Sequence, residues 1–312
     1  MSALICGSIA YDTVMVFPDH FKKHILPEQI HILNVSFMVT EMRRQFGGCA
    51  GNIAYNLHLL GGKGKIMATI GAQDSAEYLA RLDRLGIDRR HVREIPDAYT
   101  AQAFVTTDMS DNQITAFHPG AMLHSHENHV DDAEDITLGI VAPDGLEGML
   151  HHCERFAARG IPFIFDPGQG LPMFDGATLQ KCLEQADYCI VNDYEAKLIG
   201  ERTGLTEAQI AAQLQGYIIT LGAQGVRIYD EGRLSEIAAA PIREALDPTG
   251  CGDAFRGGFI YGLQRGWFVD QAARLGAVMG AIKIETRGPQ NHTPTREEIA
   301  RRLLDAYGQA LD

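Results

Sequence analysis

The chain has 312 residues, and 46% of them are hydrophobic, which is enough to bury one large core or one core with a small appendage. Its 27 basic and 40 acidic side chains give a formal net charge of −13, which repels a phosphate backbone and disfavours nucleic acid as a partner. A single phosphorylated ligand is not excluded, because it needs only local donors.

The six cysteines are scattered, and no pair has the CxxC spacing of a zinc site, so reduced thiols are the simplest interpretation. No apolar run reaches the roughly 18 residues that a membrane span needs. The short apolar N-terminus lacks the basic segment of a signal peptide. We therefore expect a soluble, cytoplasmic protein that does not bind membranes.

The first 120 residues do not show a regular order of strands and helices. Short alternating runs between about residues 14 and 45, such as 31–37, are typical of half-exposed strands. Together with the strands predicted at 101–108 and 113–117, they predict a small sheet, or lid, built from about residues 14–45 and 96–121. The other elements predicted here are strands at 3–7 and 65–71 and helices at about 47–60 and 76–85.

Beyond about residue 136, strands and helices alternate. Such alternation predicts an α/β fold, in which a mostly parallel sheet has helices on both faces. Ligands of these folds bind beyond the carboxyl ends of the strands. We expect one domain over residues 1–312, with the lid as its appendage. The strands are predicted at residues 136–141, 163–166, 188–191, 217–220 and 225–229.

The sequence DPTGCGDAFRGG at residues 247–258 is the most informative stretch of the chain. Its proline and first glycine break the preceding strand, and from Asp253 onward apolar residues recur with helical spacing. The free N–H groups of a helix start attract anions, and Gly250 and Gly252 let the backbone approach one closely. An ordinary turn would look similar, but two more glycines inside the helix, each costing about 1 kcal/mol against alanine, indicate a close neighbour.

The heptapeptide DPTGCGD resembles the C-terminal signature of the PfkB carbohydrate kinase family, also called the ribokinase family. FGGCAGN at residues 46–52 is similar to the N-terminal signature, in the expected order and at the expected separation. The resemblance covers essentially the whole chain. GSIAYD, MRRQFGGCAGNIAYNL and FDPGQGLP are most similar to the bacterial, adenosine kinase-like nucleoside kinases of this family.

The resemblance implies a ribokinase-like fold and an ATP-dependent phosphorylation of a hydroxyl group with Mg²⁺. It implies that Asp253 takes the proton of the acceptor hydroxyl. The amides of Gly250, Cys251 and Gly252 would form an anion hole for the transferred phosphoryl group.

Two loops that follow strands match the nucleotide side of the family. By resemblance, Asn192 and Glu195 hold magnesium, largely through water, and help to order the phosphates of ATP. An ordinary capping box at a helix start is the alternative for this pair. The loop from Thr220 to Gly225 resembles the nucleotide loop, in which Thr220, Gly222 and Gly225 are candidate ATP contacts, although a plain turn between strands is the alternative.

Many family members also bind a monovalent cation, such as K⁺, near the anion hole. Asp247 and Thr249 match two of its usual ligands. The carbonyl of Gly288, in a later loop, is a third candidate.

Asp12 lies just beyond the first predicted strand, where a carboxylate can accept two hydrogen bonds from a vicinal diol such as that of ribose. A simple turn aspartate is the alternative. By resemblance, Gly48 of the Gly47-Gly48 pair leaves room for the sugar, and Asn52 bonds a ring hydroxyl. Gln169, after another predicted strand, is a candidate polar contact in the cleft.

The predicted lid is rich in flat apolar side chains. Gln113, Thr115 and Phe117 alternate along one predicted strand and therefore share a face. Phe117 is a candidate to stack on a nucleobase, with Gln113 or Gln102 bonding the polar edge of the base. The alternative is that the aromatic side chains form the lid's own core or the contact of a homodimer.

These features predict a kinase that phosphorylates the 5′-hydroxyl of a ribonucleoside, such as adenosine or inosine, by in-line transfer from ATP. One alternative is a kinase for a free sugar or a sugar phosphate. The other is a non-catalytic nucleoside-binding protein, which would not need Asp253.

Overall fold

A computed structural model describes residues 2–25, 35–110 and 112–311. The alternating run predicted at residues 31–37 therefore lies largely outside the described residues. The strands are β1 (Ala3–Cys6), β2 (Ala10–Val16), β3 (Glu41–Gly47), β4 (Gly64–Gly71), β5 (Asp88–Ile95), β6 (Ala101–Thr107), β7 (Gln113–His118), β8 (Leu138–Val141), β9 (Phe163–Phe165), β10 (Tyr188–Asn192), β11 (Gly216–Thr220), β12 (Val226–Asp230) and β13 (Arg233–Ile237).

Helices account for much of the remaining chain. None of the described helices has the length and the apolar character that crossing a membrane would require. The α-helices are α1 (Cys49–Leu59), α2 (Ala76–Leu85), α3 (Leu146–Ala158), α4 (Gly176–Gln185), α5 (Asp193–Thr203), α6 (Glu207–Ala211), α7 (Cys251–Gln264), α8 (Val269–Ile284) and α9 (Arg296–Tyr307).

The large sheet has nine strands in the order β13-β12-β11-β10-β9-β8-β1-β4-β5. The pairs from β11 to β5 are parallel, and β12 and β13 add antiparallel pairs at one edge. In β1, Ala3 and Ile5 pack into one hydrophobic cluster with α1, α2, α7, α8 and α9, whereas Leu4 and Cys6 pack into a second cluster with α3 to α6. The predicted mostly parallel sheet with helices on both faces is confirmed.

A smaller sheet, which we call the lid sheet, has the order β3-β2-β6-β7. Its two outer pairs are antiparallel, and β2 pairs with β6 in parallel. Three residues separate β1 from β2, so the carboxyl end of β1 leads directly into the lid sheet. The lid sheet thus begins at Ala10, four residues before the predicted start of the lid at residue 14.

Two edge strands of the large sheet were not predicted from the sequence. β5, with the sequence DRRHVREI, is rich in charge because it lies at one edge of the sheet and leaves several side chains in water. β13 at the other edge is mostly exposed for the same reason. Edge strands that are open to solvent lack the apolar run by which a central parallel strand is found.

Candidate active site

The lid sheet and the carboxyl ends of β1, β8 and β9 enclose a cavity of about 520 Å³. A larger cavity, of about 660 Å³, lies at the amino ends of the strands. Ser2, Gly64 and Thr137 in its wall lie at the starts of β1, β4 and β8. Ligands of parallel sheets bind at the carboxyl edge, so the smaller cavity is the candidate active site. Its wall brings together these predicted site residues: Asp12, Gly48, Asn52, Phe117, Gln169, Thr249, Gly250 and Asp253.

Asp253 is the third residue of α7 and lines this cavity. The turn before the helix requires Gly250, because its φ of +79° is left-handed backbone and an added Cβ would lie 2.7 Å from Cβ of Pro289. The Asn52 side-chain amide donates to Oδ2 of Asp253 at 2.8 Å. Burial raises the pKa of Asp253, and the Asn52 hydrogen bond and the Arg256 charge oppose that rise. The helix start therefore holds a carboxylate that is more basic than an ordinary aspartate.

The amides predicted to form the anion hole lie in the first turn of α7. In this structure the Cys251 amide donates to the Pro248 carbonyl at 3.1 Å and thereby closes the turn. Gly252 provides room, since an added Cβ would lie 2.8 Å from Nη1 of Arg256. The Cys251 amide therefore already has a partner, and it is the other amides of this turn and the helix dipole that make this end of α7 favourable for a phosphoryl group.

Asn52 has partners that the sequence did not reveal. Besides Asp253, it contacts Gln290, whose Nε2 donates to Oδ1 of Asn52 at 2.9 Å and to the Tyr78 hydroxyl at 3.0 Å. Tyr78 in turn donates to the Gly47 carbonyl at 2.7 Å. This buried network fixes the Asn52 amide and so orients Asp253, while a contact between Asn52 and a ring hydroxyl stays a prediction.

A buried ion pair beneath Asp253 was missed in the sequence. Arg256, one turn further along α7, donates from Nη2 to Oδ1 of Asp166 at 2.6 Å and to the Ile190 carbonyl at 3.1 Å. The exposed fraction is 7% for the Arg256 side chain and 2% for the Asp166 side chain. Burial raises the pKa of Asp166 to about 7, and the Arg256 charge opposes that rise. The available signal was an arginine among the apolar residues and glycines that directly follow the signature.

Asp12 lies on β2, and its carboxylate lines the cavity. The glycine at position 47 leaves room for this carboxylate, because an added Cβ would lie 2.5 Å from Oδ2 of Asp12. Burial, followed by the negative charges of Asp253 and Asp247, raises the pKa of Asp12 to about 6. The cavity therefore holds a carboxylate that loses its charge just below neutral pH.

Backbone geometry requires a glycine at position 48, in addition to the predicted need for room beside the sugar. Its φ is +84°, and an added Cβ would lie 2.5 Å from the amide nitrogen of Ala10 and 2.6 Å from the Ser8 carbonyl oxygen. The neighbouring Cys49 amide donates to Oγ of Ser8 at 3.1 Å. Gly48 thus lets the start of α1 dock against the link between β1 and β2, and room for a sugar stays a prediction.

The cavity wall contains apolar as well as charged side chains. Phe117, Met122 and Met173 are its large apolar members, with Gln169 also in the wall. The Phe117 side chain is 51% exposed, so its ring is available to a ligand.

The two other glutamines of the lid sheet are placed differently. Gln102 accepts a hydrogen bond from Oγ1 of Thr13 at 3.1 Å and follows the alternate face of β6 from the cavity residue Ala103. Gln113 shares a face with Phe117 but does not line the cavity. The structure therefore brings Phe117 and Gln169 together and leaves Gln102 and Gln113 apart from them.

Asn192 ends β10, Thr220 ends β11, and the two residues are paired across the sheet. The Glu195 amide donates to Oδ1 of Asn192, and the Asn192 amide donates to the Glu195 carboxylate, both at 2.8 Å. The capping box is therefore present. Glu195 nevertheless lies close enough to the site for its negative charge to contribute to the raised pKa of Asp253.

The glycines of the loop after β11 differ in their surroundings. Gly222 is exposed, and an added Cβ would meet open space, although its φ is +56°. Gly225 is buried, and an added Cβ would lie 2.0 Å from the Ile237 carbonyl oxygen. Packing therefore requires Gly225, and an ATP contact of Thr220, Gly222 or Gly225 stays a prediction.

Asp247, the first of the residues predicted to bind a monovalent cation, has its carboxylate and its carbonyl engaged within the chain. The Asp247 carboxylate accepts from the Thr249 amide at 2.9 Å and from the Gly288 amide at 2.7 Å. Nζ of Lys283 donates to the Asp247 carbonyl at 2.7 Å. These contacts do not fit a bound K⁺ at Asp247.

Within residues 2–25, 35–110 and 112–311, no group of three or more His, Cys, Asp or Glu side chains is arranged to hold a metal ion. Mg²⁺ typically binds through one or two carboxylates together with substrate phosphates and water. The half-buried Glu195 at the carboxyl edge of the large sheet suits that mode.

Comparisons with known proteins agree with this geometry. The chain is 54% identical to Burkholderia thailandensis nucleoside kinase in its solved complex with inosine, with a TM-score of 0.90 and coverage of 99% of both chains. The solved complex of the same enzyme with ADP-inosine gives 55% identity, a TM-score of 0.87, and coverage of 99% of this chain and 97% of that chain.

A more distant relative is the nucleoside kinase of Methanothermobacter thermautotrophicus, which is 29% identical over 88% of this chain and 90% of its own length. The ribokinase of Thermotoga maritima shares the fold, with a TM-score of 0.81, 23% identity, and coverage of 97% of this chain and 98% of that chain. The pfkB family carbohydrate kinase model matches residues 10–296. The chain therefore belongs to the pfkB family of carbohydrate kinases.

Proposed function

We propose that this kinase transfers the γ-phosphoryl group of ATP to the 5′-hydroxyl of a ribonucleoside. The observation that carries the proposal is the set of side chains in the wall of one cavity: the Asp253 carboxylate, the Asp12 carboxylate and the half-exposed Phe117 ring. A base for the hydroxyl, an acceptor for a diol and a surface for a nucleobase are the three things that a nucleoside kinase needs.

Asp253 accepts the proton of the 5′-hydroxyl as that oxygen bonds to the γ-phosphorus and the bond to ADP breaks. A carboxylate is a weak base for an alcohol, but the transition state of phosphoryl transfer is loose and the proton leaves late. Burial makes Asp253 a stronger base, and Asn52 keeps it oriented. The first turn of α7, with Gly250, Cys251 and Gly252, stabilises the charge on the phosphoryl oxygens.

The nucleotide lies, in this proposal, along the carboxyl ends of β10 and β11, beside Asn192, Thr220, Gly222 and Gly225. When bound, Mg²⁺ neutralises charge on the phosphates, and Glu195 holds it through water. We do not extend the proposal to K⁺, because the Asp247 oxygens are engaged within the chain.

The ribose lies against Asp12, whose carboxylate accepts hydrogen bonds from the 2′- and 3′-hydroxyls. Gly48 and Asn52 line the same cavity as Asp12. The base extends toward Phe117, Met122 and Gln169. The Burkholderia thailandensis enzyme, which was solved with inosine, is similar over the whole chain and supports this choice of acceptor. A free hexose would leave the apolar side chains of the cavity wall without a ligand, and a non-catalytic binding protein would have no use for Asp253.

We propose that the outer face of the lid sheet forms a homodimer. Apolar side chains on this face remain exposed in the single chain: Met42 is 71%, Ile114 43% and Phe104 39% exposed. The strand register places these side chains on one face. Met42 is paired with Met15, Met15 with Thr106, and Thr106 with Ile114, and Phe104 lies two residues before Thr106 on β6. Sedimentation of Phe104→Glu beside the unchanged protein tests it, and equal masses would reject it.

ATP as the phosphoryl donor and six unpaired cysteines are both typical of the cytoplasm, where we propose that the enzyme acts.

The experiment for the acceptor measures kcat/KM with Mg·ATP for adenosine, inosine, cytidine, 2′-deoxyadenosine, ribose and fructose. We expect a ribonucleoside to be preferred and the product to be its 5′-monophosphate. The deoxynucleoside loses a charge-assisted hydrogen bond of about 1.5–3 kcal/mol, so its kcat/KM should fall about 10-fold or more. Equal values for ribose or fructose would reject the nucleoside assignment and leave only the kinase.

A further inference from the structure

Lys283 is a buried ammonium group that the proposed chemistry does not use. It lies near the end of α8, and its side chain is fully buried. Nζ donates to the Asp247 carbonyl at 2.7 Å and to the Thr286 carbonyl at 3.0 Å. A buried charge is costly unless it is well paired, so a lysine whose ammonium is held by backbone carbonyls points to a specific role.

The two carbonyls belong to the two segments that surround the anion hole. Asp247 is the first residue of DPTGCGD, and Thr286 leads into the loop that contains Gly288 and Pro289. Pro289 packs directly against Gly250 at the start of α7.

The Asp247 carboxylate joins the same two segments. One of its oxygens accepts from the Thr249 amide in the first segment, and the other accepts from the Gly288 amide in the second. The carbonyls of Asp247 and Thr286 therefore meet at the Lys283 ammonium, and the Asp247 carboxylate ties together the two segments to which they belong. Backbone carbonyls and carboxylates are the oxygens with which proteins hold a small cation. Lys283 brings its own cation to that point.

We propose that the Lys283 ammonium is a built-in replacement for a bound monovalent cation, and that this kinase therefore works without K⁺. Lys283 is a positioning residue. It holds the turn before Asp253 and places a fixed positive charge behind the first-turn amides of α7, where the negatively charged phosphoryl group would lie.

The inference rests on the proposed phosphoryl transfer, but the two fail separately. Absence of nucleoside phosphorylation by the unchanged enzyme would reject the proposed function. The response to cations would reject or support only the role of Lys283.

The test compares three variants. Lys283→Met keeps the length of the side chain and removes the charge. Lys283→Ala opens a space that an ion can enter. Lys181→Met is the matched control, because Lys181 lies on the surface of α4 with its side chain 56% exposed.

Initial rates are measured with Mg·ATP and a nucleoside at constant ionic strength, in choline chloride, KCl or NH₄Cl. The unchanged enzyme and Lys181→Met should show equal rates in all three salts. Lys283→Met should lose kcat by about 10-fold or more in every salt, as expected when support for transition-state charge is removed, with the KM of the nucleoside within about twofold. Lys283→Ala should be equally slow in choline chloride and should regain several-fold in NH₄Cl or KCl.

A thermal melt gives a readout that is independent of activity. NH₄Cl or KCl should raise the Tm of Lys283→Ala relative to choline chloride and should leave the Tm of the unchanged protein and of Lys181→Met unaltered. If Lys283→Ala does not fold in choline chloride, recovery of its melting transition in NH₄Cl supports the proposal, and no recovery overturns it. Dependence of the unchanged enzyme on K⁺, or full activity of Lys283→Met, would also overturn it.

Discussion

The side-chain amide of Asn52, on α1, donates a 2.8 Å hydrogen bond to the carboxylate of Asp253, on α7, although 201 positions separate the two residues in the chain. Gln290 holds the other end of the same amide. The bond favours the charged form of Asp253, whereas burial favours the neutral form. The basicity and the direction of the proposed catalytic base therefore depend on a helix from the other end of the sequence.

Replacing Asn52 should weaken catalysis through Asp253. In Asn52→Ala the carboxylate loses a donor, so its pKa should rise further and the acid side of the kcat profile should move to higher pH. A hydrogen bond to a charged group contributes about 1.5–3 kcal/mol, which corresponds to a loss of about 10–150-fold in rate at most. The control is His58→Ala, an exposed position on the same helix. An unshifted profile would mean that Asn52 does not act on the base.

The charge of Asp12 should control nucleoside binding near neutral pH. Its pKa is raised to about 6, so the carboxylate accepts hydrogen bonds from the diol above that pH and loses this capacity as the pH falls through 6. We expect the KM of a ribonucleoside to rise as the pH drops from 7 to 5. In Asp12→Asn the KM should be high and flat over the same range. A KM that depends on pH equally in both proteins would contradict this role.

Loss of one partner of the buried Asp166–Arg256 pair should destabilise the fold. Removing one charge leaves the other buried without a partner, which typically costs about 3–5 kcal/mol. Urea unfolding of Arg256→Met should show such a loss, and the double change with Asp166→Asn should cost less than the sum of the two single changes. The exposed pair of Arg155 and Asp131 is the control, since exposed pairs contribute about 0–1 kcal/mol. Equal losses for both pairs would contradict the argument.

Two of the predicted residues that the structure brings together, Gln169 and Asp253, lie shortly after a strand or at a helix start, and they were found because the carboxyl edge of a parallel sheet collects such positions. Asp12, predicted just beyond the first strand, lies on β2 of the lid sheet and still lines the cavity. No comparable pattern in the sequence indicated the contacts of Gln290 and Lys283. Each depends on residues that meet only when distant segments pack, and a lysine near the end of a helix usually reaches solvent.

Gln102 shows a different limit. Its residue type and its strand suited a contact with a base, but the register of β6 turns it toward Thr13 on the alternate face of the lid sheet. A shift of one residue along a strand reverses the face that a side chain occupies, and register is set by pairing with β2 and β7, which the sequence of β6 alone does not determine.

Phe117 should contribute to nucleoside binding and not to the chemical step. Stacking of an aromatic pair contributes about 0.5–1.5 kcal/mol, so Phe117→Ala should raise the KM for inosine about 3–10-fold with kcat little changed. Phe268→Ala is the control, because that ring is 76% exposed on the surface at the start of α8. A loss of kcat without a change in KM would place Phe117 in the reaction instead.

The account depends most directly on Asp253 as the base. The decisive measurement is the kcat of Asp253→Asn beside the unchanged enzyme, with Mg·ATP and the best ribonucleoside, together with the Kd of ATP for both proteins. The amide cannot take the proton, so kcat should fall by at least ~10² while the Kd of ATP stays within about twofold. Turnover by Asp253→Asn within a few-fold of the unchanged enzyme would contradict the mechanism.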